Sequence, residues 1–151
     1  MADNLTIGLG TKLAVSTSLP ATEDLAGYQA VGMVYTTVGE VVEIPSFGAE
    51  HEVVSFTALA DGVTRKYHGS VNYGTMTIPV GLDADDAGQT ALKTALSSKA
   101  RITFKITYAD GTIDYFQGKV FSFRRSSSLG EVNRAEVNIE IETKIVEDTT
   151  P

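Results

Sequence analysis

Apolar and polar residues alternate strictly over Arg101-Ile102-Thr103-Phe104-Lys105-Ile106-Thr107-Tyr108, with every even position apolar, and period two predicts a half-buried strand. The run ends at Ala109-Asp110-Gly111-Thr112. Asp-Gly between apolar runs predicts a hairpin in which both central residues take positive φ. The partner strand runs from Ile113 to Phe123, and Gly118 within it marks a bulge or a close approach of another backbone. A second alternation, Glu136 to Ile145, puts Val137, Ile139, Ile141 and Ile145 on one side and Glu136, Glu140 and Glu142 on the other. The stretch Arg124 to Arg134 between them, with three consecutive serines and Gly130, reads as a polar connection.

Weaker strand patterns cover Lys12 to Thr17, Ala30 to Val38, Val53 to Ala60 and Tyr67 to Val80, with Asp61-Gly62 as a further tight turn. Pro45 and the run Gly48-Ala49-Glu50-His51-Glu52 break the pattern, so a long loop is expected over Ile44 to Glu52. One segment has helical spacing: Asp83 to Ser98, with Ala84, Ala87, Ala91, Leu92, Ala95 and Leu96 on one face. Asp83 is the expected N-cap, Asp85 and Asp86 fall in the first turn, and Lys93 and Lys99 lie toward the other end, as the helix dipole favours. The fold class implied is mainly β: a β-sandwich or barrel with one flanking α-helix.

Composition narrows the function. At 151 residues the chain reads as one domain, and with 42% apolar and 21% charged residues it has globular proportions. No stretch is apolar for long enough to cross a membrane. The start Met1-Ala2-Asp3-Asn4 has an acid where a secretory signal carries positive charge, so a cytoplasmic beginning is expected. The absence of cysteine removes disulfide and thiolate chemistry. The net charge of −7, with no basic cluster beyond Arg65-Lys66 and Arg124-Arg125, excludes a protein that grips phosphate backbones.

No catalytic constellation emerges. His51, in the expected loop, and His68, in a strand, are the only histidines, and surface or packing roles are expected for both rather than catalysis or metal binding. Asp83, Asp85 and Asp86 fail as a calcium loop because Thr94 stands where the bidentate Glu is required. Gly8-Leu9-Gly10-Thr11-Lys12 lacks the phosphate-loop order, and Gly69-Ser70-Val71 lacks the nucleophile-elbow spacing. The expectation is a non-enzymatic chain with no cofactor and no metal. The acidic side Glu136, Glu140, Glu142 reads either as an ordinary solvated face or as a surface that must not hold a polyanion. A monomeric β-sandwich ligand-binding module is the alternative function, although Trp is absent and the six Tyr and six Phe are interleaved in strands.

Taken in order, Gly39-Glu40-Val41, Ile44-Pro45-Ser46-Phe47-Gly48, Asp61-Gly62, Gly69, Leu82-Asp83-Ala84-Asp85-Asp86-Ala87-Gly88-Gln89, Asp110-Gly111 and Gly118-Lys119-Val120 form a pattern over about Lys12 to Val146. This pattern resembles the tail tube proteins of long-tailed bacteriophages, whose fold is shared with the inner tubes of contractile injection systems. The resemblance implies that six copies close into a ring whose inner sheets form one continuous β-barrel, and that rings stack into the hollow virion tail tube through which DNA passes without specific binding. It also implies assembly in the host cytoplasm with tape-measure and tail-tip or terminator proteins, and no membrane partner. Contacts to neighbours would come from the loop around Pro45, Phe47, Gly48 and His51, within about Pro45 to Val54, from an arm at about residues 1–11, and from a tail at about 146–151. Glu40, Glu43, Glu136, Glu140 and Glu142 would be the candidates for an acidic lumen.

Overall fold

The structure, a computed structural model, describes residues 8–149. The elements in order are β1 (Lys12–Ser16), α1 (Leu25–Tyr28), β2 (Thr36–Val38), β3 (Glu50–Thr57), β4 (Thr64–Asn72), β5 (Thr75–Gly81), α2 (Ala87–Ser98), β6 (Ile102–Thr107), β7 (Ile113–Ser126), β8 (Arg134–Ile141) and β9 (Val146–Asp148). Among the described residues, seven strands form one sheet in the order β2-β1-β6-β7-β8-β5, with β9 also on β7, and β3 and β4 pair only with each other. All pairs are antiparallel.

The expected sandwich or barrel is realised as a single curled sheet. Side chains from β1, β2, β5, β6, β7, β8 and α2 share one core cluster, which includes Leu13, Val38, Ile78, Leu92, Phe104, Phe116 and Val137. Strands at opposite ends of a sheet meet in one core only if the sheet wraps around it. The crossover after β2 completes the curl: Val41 bridges Val80, the Val42 N–H donates to the Pro79 carbonyl at 2.9 Å, and the Gly81 N–H donates to the Glu40 carbonyl at 2.7 Å. This link is one isolated bridge, so the sheet stays short of a closed barrel. Burying each large apolar side chain contributes roughly 1.5–3 kcal/mol, which makes this cluster the main source of stability.

The helix starts later than the sequence pattern suggests. Asp86, not Asp83, is the N-cap, and its Oδ2 accepts from the Gln89 N–H at 2.9 Å and the Gly39 N–H at 3.0 Å. Asp83 instead accepts from the Asp85 N–H in a turn before the helix. No acid lies in the first turn proper, and Lys99 is the C-cap in left-handed conformation at φ 59°. Three acids in four residues compete for the cap, and Asp86 satisfies two backbone donors at once. Gln89 is fully buried with both amide groups paired: Nε2 donates to the carbonyls of Gly39 at 3.1 Å and Gly81 at 2.8 Å, and Oε1 accepts from the Asp83 N–H at 3.1 Å. Gly88 lets α2 press onto β2, since a Cβ there would lie 2.5 Å from the Thr37 carbonyl oxygen and the Val38 Cα.

The Asp110-Gly111 hairpin forms as expected, but only Gly111 has positive φ, so this is a longer turn closed by the Tyr108 N–H donating to the Thr112 carbonyl at 2.8 Å. Gly118 sits where backbones approach closely, 2.5 Å from its would-be Cβ to the Glu140 carbonyl oxygen, while the bulge falls three residues later between Val120 and Ser122. The expected strand over Ala30 to Val38 shrinks to β2. Residues 30–35 instead follow α1, a short second helix absent from the sequence reading, across the back of the sheet. There Tyr28 stacks on Tyr115 at 5.2 Å, Tyr35 tilts over the same ring at 6.0 Å, and the Thr103 hydroxyl donates to the Ser18 carbonyl. Tyr67 to Val80 is two strands, broken where the Gly74 N–H donates to the Asn72 side chain and Gly74 takes φ 99°.

At the far end of the sheet Asp114 stands opposite Glu147 of β9 and accepts from the Tyr108 hydroxyl at 2.7 Å. Burial, together with the Glu147 charge and against that hydrogen bond, pushes the Asp114 carboxyl above its ordinary value. A raised folded-state value means the folded form takes the proton more readily, so this group favours folding at low pH and the benefit is lost as pH rises through that value. Asp114→Asn should therefore melt at or above the wild-type temperature at neutral pH, with the gap closing as pH falls into the carboxylate range. Parallel thermal melts would show this, and a variant clearly less stable at pH 7 would contradict it. Gln89→Glu should cost on the order of 3 kcal/mol in denaturant unfolding, because a carboxylate cannot donate to the two carbonyls that Nε2 serves. A loss below about 1 kcal/mol would show that the polar knot matters little.

Candidate functional site

Two surfaces stand apart from the core. The first is the half of the sheet's back face left uncovered by residues 17–35. Cross-strand register places Thr75 beside Glu140 and Lys119, Thr77 beside Asn138 and Ser122, and Pro79 beside Glu136 and Arg124. The alternation of β8 explains the face: Ala135, Val137, Ile139 and Ile141 are buried, while Glu136 is exposed and Glu140 is half-buried. Of the candidate acids, Glu136 and Glu140 lie here, and the Thr75 hydroxyl donates to the Glu140 carboxylate. Glu142 continues the row but is held by Arg101 at 3.3 Å and Lys119 at 3.8 Å. Glu40 joins the same side next to Gly81, whose β8 partner is Arg134, and it holds left-handed φ of 61°. The face is thus polar with mixed charge rather than uniformly acidic. At its centre, among the described residues, the buried Asn138 Oδ1 has no hydrogen-bond partner.

Glu43 is elsewhere. It lines an open groove of about 730 Å³ with Leu9, Val42, Ile44, Phe47 and Tyr108.

The second surface is the arm formed by β3 and β4. Gly69 in β4 is half-buried, and every other residue of both strands is exposed. One side carries Val54, Phe56 and Tyr67 together with Arg65, since Val54 pairs with Tyr67 and Phe56 with Arg65. The other side carries Val53, Ser55, Lys66 and His68. The tip is fixed by Asp61, which accepts from the Val63 N–H and pairs with Arg65 at 2.6 Å. A two-stranded hairpin in water is marginal at best, and this one leaves Phe56 58% and Tyr67 54% exposed.

The loop expected over Ile44 to Glu52 is shorter, because Glu50, His51 and Glu52 belong to β3. Pro45 is half-buried, the Phe47 ring packs on Phe116 at 5.7 Å, and Gly48 lies against Gly74. These three therefore tie the crossover to its own core, and the projecting element is the hairpin that follows. The two histidines, assigned by sequence to unlike regions, face each other across the arm with ring centres 5.0 Å apart. Of the expected terminal segments, residues 1–7, 150 and 151 lie outside the described residues, and Val146–Asp148 pairs with β7 of its own chain.

Among the described residues no group of three or more His, Cys, Asp or Glu is placed to hold a metal ion, and no helix is long and apolar enough to cross a membrane.

No family model matches the sequence, and no curated protein matches it. Solved structures do match in shape. A chain of the anti-feeding prophage baseplate, 6-fold symmetrised, aligns with TM-score 0.70 over 97% of this chain and 97% of that one at 8% identity. A chain from the tail of an empty GTA particle with C6 symmetry aligns at 0.66 over 93% and 97%, at 14% identity. The SPP1 tail tube aligns at 0.65 over 94% of this chain and 78% of that one, at 12% identity. At such identities the likeness is one of fold, and it extends over nearly the whole chain: this protein has the tail tube fold.

Proposed function

We propose that this chain is a structural subunit of a phage-type tail or injection-system tube, without enzymatic activity, that assembles with copies of itself. The observation that carries the reading is the β3–β4 arm, which exposes Val54, Phe56 and Tyr67 on one side, with nothing among the described residues covering them. Such an element is stabilised by burial against a second molecule. The whole-chain likeness to tail and baseplate chains, two of them in 6-fold or C6 assemblies, supports copies of this chain as that second molecule and six as the number in a ring. Stacked rings would form a tube in the virion tail, built in the host cytoplasm with tape-measure and terminator proteins.

The bare sheet face with Glu136, Asn138 and Glu140 is the surface we assign to the channel wall, with Glu40 at its margin and Glu142 largely neutralised by its two cations. Because Glu136 stands beside Arg124 and Glu140 beside Lys119, passage of DNA without adhesion would rest on a hydrated, charge-balanced wall and the chain's net −7 rather than on an unbroken acidic lining.

Concentrated protein should form rings or hollow tubes in negative-stain micrographs, and the double change Phe56→Ser with Tyr67→Ser should abolish them while leaving the melting of the core unchanged. Tubes of normal yield from that variant would sink the arm's role. In tubes assembled from Glu136→Lys, Glu140→Lys protein, short duplex DNA should be retained on sedimentation, whereas wild-type tubes release it; equal retention would remove this face from the channel.

A further inference from the structure

The geometry points to a divalent transition-metal site on the arm, built from the imidazoles of His51 and His68 and taking a borderline ion such as Zn²⁺. The inference is independent of tube formation. Both side chains belong to the same side of the hairpin: Val53 pairs with His68, His51 lies two residues back along β3, and the β4 bulge between them sets the two rings on a diagonal across the strands. Diagonal neighbours on a sheet face lie within reach of long or aromatic side chains. Here the ring centres are 5.0 Å apart with planes at 83°.

That spacing suits a shared ion. With a Zn–N bond of about 2.1 Å the metal lies about 3.2 Å from each ring centre, so centres 5 Å apart subtend about 100° at the ion, close to the tetrahedral angle. As they stand, the edge of one ring meets the face of the other. Both residues are exposed, so turning one ring about its Cβ–Cγ bond brings a nitrogen of each onto a common point at small cost. Neutral imidazole is a preferred donor for Zn²⁺, Ni²⁺ and Cu²⁺ and a poor one for Mg²⁺ or Ca²⁺.

The surroundings permit the ion. Glu50 and Glu52 lie on β3 next to His51 in sequence, and with Ser70, Val71 and Asn72 they line an open groove of about 260 Å³ at the base of the arm. Lys66, two residues from His68 and on its side, is the nearest cation along β4. With two protein ligands the ion keeps positions for water or for a donor from another molecule, so binding is reversible and labile. Its structural effect is to join the strands across the bulge, where the ladder is interrupted.

The test uses the full chain without a histidine tag, titrated with Zn²⁺ and followed by calorimetry and by NMR of the imidazole protons. One ion per chain is expected, with shifts confined to the two rings. His51→Ala and His68→Ala should each weaken binding about tenfold or more, Lys66→Ala should not weaken it, and Mg²⁺ should move neither ring. Unshifted rings at about 1 mM Zn²⁺, or single-histidine variants that bind like the wild type, would overturn the site. Because both residues are solvent-exposed on the arm, unchanged circular dichroism of the variants will separate ligand loss from unfolding.

Discussion

The curled sheet depends on one buried amide. Gln89 sits where the end of β2, the end of β5 and the approach to α2 converge, and it hydrogen-bonds to all three. Beside it the Asp86 carboxylate caps the helix and holds Gly39 with the same oxygen. A sheet that must bend its two ends toward each other leaves backbone groups at the seam without ladder partners, and such groups are costly when buried. Asp86 and Gln89 supply partners that the strands cannot. The sequence Asp86-Ala87-Gly88-Gln89 has the spacing of a capping box, yet the glutamine side chain turns away from the cap to serve the seam. Gly88 between them is what lets the helix come close enough for this.

Around that seam the molecule divides its burial unequally. The seven-stranded sheet buries a continuous cluster under α2, and Tyr28 and Tyr35 cover half its back by packing on Tyr115 of β7. The arm buries almost nothing. Its polar contacts are local: the Asp61 turn, the Asp61–Arg65 pair and the hydroxyl contact between Thr57 and Thr64. The chain thus joins an element with its own core to one that leaves its apolar side chains exposed, through the crossover that Phe47 anchors on Phe116.

Elements with one face in the core were legible from the residues. The alternations from Arg101 and from Glu136, the Asp-Gly hairpin and the apolar stripe of α2 all carried a burial period and formed close to where it placed them. The arm carried no such period because both its sides meet solvent, so Glu50-His51-Glu52 read as loop although they are strand. The run Ala30 to Tyr35 has strand composition but joins no ladder: Val31 and Val34 are exposed, and only Tyr35 packs on the Tyr115 ring. Asp83 and Asp86 are equally good caps locally, and only Gly39, forty-seven residues away, decides between them. For the same reason the meeting of His51 with His68 could not be read: it depends on a bulge in the register of two strands, which leaves no mark in composition. The alternation of β8 did reveal the polar back face, while Lys119 and Arg124, which balance its acids, come from a different strand.

The bulge in β7 has a consequence of another kind. Deleting Phe121 on paper leaves Val120 opposite Ile139 and Ser122 opposite Asn138, a ladder with no interruption. The chain therefore carries one residue more than pairing requires. That residue is 58% exposed and lines a shallow groove together with Leu96 and Lys99 at the end of α2. An extra residue in one strand adds local twist and bends it. The heading of the outer β7–β8 hairpin, with Arg124, Arg125, Arg134 and the loop between them, is consequently bent by a single surplus position, and chain length at that point encodes an angle.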